Sequence, residues 1–239
     1  MGVISRIRED IQAVFDRDPA ARTSVEVVLA YPGLHAIWFH HLAHWLWEHH
    51  LKLLGRLVSE IGRWLTGIEI HPGAKIGRRL FIDHGMGVVI GETTEIGDDV
   101  LIYQGVTLGG TSLKKEKRHP TLEDHVMVSA GASVIGPVRI GEGSRIGAGA
   151  VVVSSAPPYS TIVGIPGKII EGDSARHDVM ELDHAKLPDP VARAISNVVE
   201  KLNRMGARME EIEERQDCLE DKVSEHHPPT PEAIRANKV

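Results

Sequence analysis

From residue 70 onward an aliphatic side chain returns at every sixth position, and few folds can satisfy that period. Ile70, Ile76 and Ile82 open the series; after a slip of two residues it resumes at Ile90, Ile96, Ile102 and Leu108. A break follows, and then Leu122, Val128, Val134, Ile140, Ile146 and Val152 run without interruption. A period of six matches neither an amphipathic helix nor a simple alternating strand. It matches a coil of hexapeptide rungs, each one short strand and one turn, whose aliphatic residues point inward and stack from coil to coil. Glycine commonly follows the aliphatic residue (Gly77, Gly91, Gly97, Gly109, Gly141, Gly147), and a small residue often stands two before the next one (Ala74, Ala132, Ala150). Both relieve tight corners where a Cβ would clash. Three rungs make one triangular coil, with successive coils about 4.8 Å apart.

The rest of the chain has a different character. Seven of its ten aromatic residues (Phe15, Tyr31, Trp38, Phe39, Trp45, Trp47 and Trp64) precede residue 67. Residues 5–15 place Ile7, Ile11, Val14 and Phe15 on one helical face, with Ser5 as N-cap, and Pro19 ends that helix. Further helices are predicted at 23–30 and 34–65, the latter broken near Gly55. Histidines 35, 40, 41, 44, 49 and 50 spread around the helix rather than along one stripe, so packing and surface roles are expected. After Pro157-Pro158 and Gly164-Ile165-Pro166-Gly167 close the prism, residues 171–187 are a polar stretch without periodicity. A heptad follows, with a positions Ile195, Leu202, Met209, Gln216 and Val223 and d positions Val191, Val198, Met205, Ile212 and Leu219. Arg208 with Glu213, and Arg215 with Glu220, stand at g and the following e, which favours a parallel coiled coil. The expected class is α+β: an N-terminal helical domain (1–66), a left-handed parallel β-helix (67–171), a linker (172–187), a coiled-coil helix (188–224) and a flexible tail (225–239).

Composition narrows the function. The 239 residues carry a net charge of −6, which argues against nucleic acid as a partner. A single cysteine, Cys218, excludes an internal disulfide framework and a cysteine-built zinc site. The charged first ten residues are unlike a secretory signal and no apolar run approaches membrane-spanning length, so the expected location is the cytoplasm, with no membrane partner. In a regular prism, chemistry is expected where the period fails. The slip at Asp83-His84-Gly85-Met86-Gly87 holds an Asp-His pair. The break, residues 109–120, is a polar, basic loop ending in Arg118-His119-Pro120. Prisms with such loops are mainly acyltransferases that use coenzyme A thioesters. Acyl transfer from a thioester needs a base for the acceptor hydroxyl and a group to orient that base. His84 is the candidate base, with Glu69 or Asp83 as orienter. Cys218 is remote in sequence and no serine adjoins a His-carboxylate pair, so direct attack without an acyl-enzyme is expected.

Several stretches resemble the serine O-acetyltransferase family: Gly67-Ile68-Glu69-Ile70-His71-Pro72-Gly73-Ala74, Asp83 to Thr93, Val106-Thr107-Leu108-Gly109-Gly110-Thr111 and Arg118-His119-Pro120. Asp10-Ile11-Gln12-Ala13-Val14 and Arg17-Asp18-Pro19-Ala20 extend the resemblance, which covers about residues 8–170. It implies His84 as general base and Glu69 as its carboxylate partner. It implies Asp10 and Asp83 for the ammonium of L-serine, and Arg118 with His119 for its carboxylate. Backbone groups at Gly110, Ala130 and Ala148 would bind acetyl-CoA, a co-substrate, with no permanently bound cofactor and no metal. The resemblance also implies a homotrimer, inhibition by L-cysteine, and the first committed step of cysteine synthesis. Two departures stand out. The helical extension that supports a dimer of trimers in many members is nearly absent ahead of Asp10. The chain also ends in Val239, where many members end in an isoleucine that inserts into O-acetylserine sulfhydrylase. His71 and His125 are expected in turns, and Lys114, Lys115 and Lys117 as solvated charges able to attract CoA phosphates. Alternatives are an O-acetyltransferase for a sugar or another hydroxyl acceptor, a zinc lyase using His84, His119 and His125, and a trimeric scaffold without catalysis.

Overall fold

A computed structural model describes residues 3–170 and 190–225, in two compact units, Met1–Pro188 and Asp189–Val239. The expected linker 172–187 and the tail beyond Glu225 lie outside the described residues. In the first unit, helices α1 (Val3–Arg17), α2 (Ser24–Ala30), α3 (Pro32–Glu48) and α4 (Lys52–Thr66) precede fifteen short strands. The strands form the three faces of a left-handed parallel β-helix. Face A holds Glu69–Ile70, Val89–Ile90, Thr107–Gly109, Ser133–Ile135 and Val151–Val152. Face B starts at Lys75–Ile76 and face C at Phe81–Asp83. The strand Lys168–Ile170 turns back antiparallel on Thr161–Val163 and closes face C.

Register locates both irregularities. Val89 pairs with Thr107 and Thr121 with Arg139, each 18 residues on, the regular coil. Glu69 pairs with Val89, 20 residues on, because the Asp83–Gly87 slip adds two. Thr107 pairs with Ser133, 26 residues on, because the loop after Gly109 adds eight. The inward aliphatic residues read from the sequence are buried, apart from the half-buried Ile76.

The helices and the prism share their cores. Ala36 and Ile37 of α3 join the prism's central column and cap its first coil. At the foot of α3, a Cβ on Gly33 would stand 2.1 Å from the Ile82 carbonyl oxygen, so only glycine allows this seat. A second cluster joins Val14, Val27 and Leu34 to Phe81, Leu101 and Met127, three outward side chains stacked on face C. Arg17 ties α1 to the prism, donating to the Arg79 carbonyl at 2.7 Å and to Asp99 at 2.8 Å.

The expected break near Gly55 falls instead at residues 49–51, where His50 has a φ of 62°. Gly55 lies inside α4 because it packs closely: a Cβ there would meet the Ala43 carbonyl at 2.8 Å. Gly55, Ser59, Gly62 and Thr66 form a small-residue stripe buried on α4, while Trp64 is 84% exposed on the other side. In the second unit, α5 (Pro190–Glu225) is a single 36-residue helix. Among the described residues no helix is long and apolar enough to cross a membrane.

Candidate active site

A three-sided prism has three edges, and the expected site residues fall on two of them. The turn His84–Gly87 connects Phe81–Asp83 on face C to Val89–Ile90 on face A, so His84 occupies the C/A edge. Its φ of 57° is the left-handed corner geometry that Arg79, Asp99, His125 and Tyr159 also adopt, so it marks a corner and not a special strain. The His84 ring is 75% exposed, with Nε2 3.9 Å from Asp83 Oδ1. Glu69 lies on the adjoining rung of the same edge: its N–H donates to the Val88 carbonyl at 2.9 Å, and its carboxylate stands 4.0 Å from Arg63.

Along this edge the chain runs bare. Gly87, Gly105, Gly131 and Gly149 all have φ between +67° and +77°, and a Cβ on Gly131 or Gly149 would meet nothing within 4 Å. Gly131 donates to the Gln104 carbonyl and Gly149 to the Ala130 carbonyl, each at 2.9 Å. Ala130 and the exposed Ala148 therefore flank an open backbone ladder leading away from His84.

Arg118, His119 and Gly110 sit on the A/B edge. Thr93 organises them: its hydroxyl accepts from the backbone N–H groups of Arg118 (3.0 Å) and His119 (3.1 Å). The Thr93 N–H donates to His119 Nδ1 at 3.2 Å, which fixes that nitrogen as the acceptor and leaves the ring proton on Nε2. Burial, then the Arg118 charge, holds the His119 pKa below its ordinary value, so the ring is neutral near pH 7. A Cβ on Gly91 would stand 2.1 Å from His119 Nε2 and one on Gly110 3.1 Å, so two glycines make room for the ring. Arg118 pairs with Glu92; burial alone would raise the Glu92 pKa, but the guanidinium brings it below the ordinary carboxylate value. Lys117 is not a free charge; it donates to the Thr93 carbonyl at 2.7 Å.

The structure does not bring Asp10 to this constellation. It is 4% exposed on the inner side of α1, and burial, opposed by the Arg6 charge, raises its pKa. Asp18 stands near Asp83 instead. Burial raises the Asp83 pKa first, His84 opposes this, and the Asp18 charge adds to it, which places Asp18 within electrostatic range of Asp83. Asp18 is held by the Tyr31 hydroxyl at 2.6 Å and the Ala20 N–H at 2.8 Å. Asp18 belongs to the Arg17-Asp18-Pro19-Ala20 stretch but carries no sequence signal of its own. Being at a helix end, it reads as a capping residue.

His71 and His125 are corner residues as expected. His71 Nδ1 accepts from the Gly73 N–H at 3.0 Å, and burial lowers its pKa to about 4. His84, His119 and His125 lie on three different edges of one chain, which disfavours the zinc-lyase alternative. Among the described residues no group of three metal-ligating side chains is assembled.

A rung-built prism with a histidine edge and a bare backbone ladder defines a hexapeptide-repeat transferase, and residues 119–154 match the bacterial transferase hexapeptide family. Residues 2–38 match the N-terminal domain of serine acetyltransferases. The serine acetyltransferase of Bacillus subtilis is 53% identical over 87% of this chain and 96% of its own length. The chain belongs to the serine acetyltransferase family. Two solved structures agree. A serine acetyltransferase in complex with cysteine has 38% identity and a TM-score of 0.73, over 76% of this chain and 70% of that one. The Brucella abortus enzyme in complex with coenzyme A has 42% identity and a TM-score of 0.67, over 70% and 67%.

Proposed function

We propose that the chain transfers the acetyl group of acetyl-CoA to the hydroxyl of L-serine, in a site shared between two subunits of a homotrimer. The observation that carries this is the division of the site residues. His84, Asp83, Asp18, Glu69, Ala130 and Ala148 belong to the C/A edge side; Arg118, His119 and Gly110 belong to the A/B edge. About four extended residues of face A, roughly 13 Å, separate those edges, several times the roughly 4 Å span of one amino acid. Joining the A/B edge of one copy to the C/A edge of the next is a heterologous contact, and a homotrimer repeats it three times in a closed ring.

In that site Asp18 and Asp83 take the serine ammonium, and the Arg118 fork with His119 Nε2–H takes its carboxylate. Asp83 lies on the Nε2 side of His84, where the acceptor must sit. The orienting carboxylate must then reach Nδ1, and Glu69, on the adjoining rung, is the candidate for that role. His84 removes the hydroxyl proton as the serine oxygen attacks the thioester carbonyl. The carbon–sulfur bond then breaks, and the proton passes from the imidazolium to the CoA thiolate. The thioester is already activated, so no resident cofactor is required. The glycine ladder beside Ala130 and Ala148 leaves room for the pantetheine arm.

L-cysteine presents the same ammonium and carboxylate as serine and is expected to compete for this site, as the cysteine complex of a relative suggests. The reaction would open cysteine synthesis from serine. Binding of O-acetylserine sulfhydrylase by the final residues is tested by co-elution with and without them. The central test is thiol release from acetyl-CoA with and without L-serine. Release should require serine and fall by about 10²–10⁴ in His84→Ala. Unchanged turnover in that variant would reject His84 as the base, and serine-independent release would reject the acceptor.

A further inference from the structure

The long C-terminal helix has the pattern of an assembly element, and the divided site gives such an element a purpose. In α5, Ile195, Val198, Leu202, Met205, Met209 and Ile212 follow one another in alternating steps of three and four residues, each 55–59% exposed. With only Val199 exposed beside it among the described large apolar residues, that stripe has the spacing of a coiled-coil seam, whereas a helix docked on a globular body shows a broader apolar face. We propose that α5 pairs in parallel with the α5 helices of two further copies, as a three-stranded coiled coil that holds together the trimer in which the acceptor site is completed. The purpose rests on the shared site proposed above; the coiled coil itself rests on α5 alone.

Charge, seam shape and site geometry select this occupant. Arg208 immediately precedes the seam residue Met209, and Glu213 immediately follows Ile212. In a parallel, in-register bundle Arg208 of one helix meets Glu213 of its neighbour, whereas antiparallel pairing sets like charges together. The β-branched Val198 and Ile212 occupy d positions, where they favour three or more strands over two. Gln216 holds the next a position, a polar residue of the kind that sets register. A parallel bundle of three also matches the homotrimer proposed for the prisms. Nineteen residues separate Ile170 from Pro190, a contour of up to about 65 Å, enough for three α5 helices to meet on one axis.

The test uses the full-length protein, with its mass followed by sedimentation through a dilution series and its activity per subunit measured in parallel. Wild type should stay trimeric and active to low concentration. Arg208→Glu should raise the concentration of half-dissociation about tenfold, and adding Glu213→Arg should restore it. Leu202→Asp with Met209→Asp should dissociate at roughly a hundredfold higher concentration than wild type, with activity recovering as the protein is concentrated. These surface changes spare the prism, so circular dichroism should show its strands intact. Unaltered dissociation in both variants, as expected if α5 docks on its own subunit, would overturn the proposal. So would a mass showing α5-dependent pairs or tetramers. Dissociation without loss of activity would leave the coiled coil standing and overturn the shared site.

Discussion

At the residue scale, two aspartates separate positions that look alike in sequence. Asp18→Asn removes a carboxylate beside Asp83 and should raise the serine KM by about 10- to 100-fold, the loss of one charge-assisted hydrogen bond. Asp10→Asn should leave the serine KM unchanged, because that side chain is buried and out of reach of a substrate. Steady-state kinetics of both variants decides between them; the reverse pattern would restore the sequence-based assignment. The His119 ring occupies space that a Cβ on Gly91 would enter. Gly91→Ala and His119→Ala should therefore share one KM defect, and the double variant should be no worse than either, since both act on one group. Two equal and additive defects would contradict that coupling. His84, Asp83, Arg118 and His119 were visible in the sequence because each interrupts a strict period. Thr93 and Asp18 were not, because Thr93 acts through hydrogen bonds from a loop 25 residues later, and Asp18 through a fold of α1 against face C.

At the scale of elements, the prism was legible nearly rung by rung, since a six-residue period fixes both the inward face and the coil. How the helices attach was less legible. Phe81, Leu101 and Met127 held a signal, three apolar residues one before the inward position on successive coils, but it emerges only once register is known. Gly55 illustrates the opposite error: propensity reads it as a break, and close helix packing overrides propensity. The seat of α3 is testable in two ways. Gly33→Ala should lower stability by about 1–3 kcal/mol or more in urea unfolding, because the Ile82 backbone cannot yield; an unchanged midpoint would contradict the contact. Burial also lowers the pKa of His40 to about 3 and of His41 to about 4, and His71 stands edge-on to Trp47 of α3 with a pKa of about 4. Folded-state values below the ordinary 6.5 mean that the unfolded chain binds protons the native chain refuses. Stability is then full above about pH 6.5 and is lost as pH falls toward 4. The urea midpoint should decline between pH 6.5 and 5, above the range where ordinary carboxylates titrate, and less steeply in His41→Gln. A flat profile there would contradict burial of these rings.

At the scale of the whole molecule, one chain carries its candidate site residues on two edges, and in the proposed trimer neither edge would perform the transfer alone. Sequence spacing brought His84 and Arg118 into one list without showing that a full face of the prism lies between them. That separation follows from which turns lie on which edge, a consequence of the register shifts at the slip and at the long loop. The decisive measurement mixes two inactive variants, His84→Ala and Arg118→Ala, unfolds and refolds them together in equal amounts, and assays serine-dependent thiol release. Random reassembly should place an intact His84 edge against an intact Arg118 edge at about one junction in four, restoring roughly a quarter of wild-type activity. Activity no higher than that of the two variants refolded separately would show that each chain works alone.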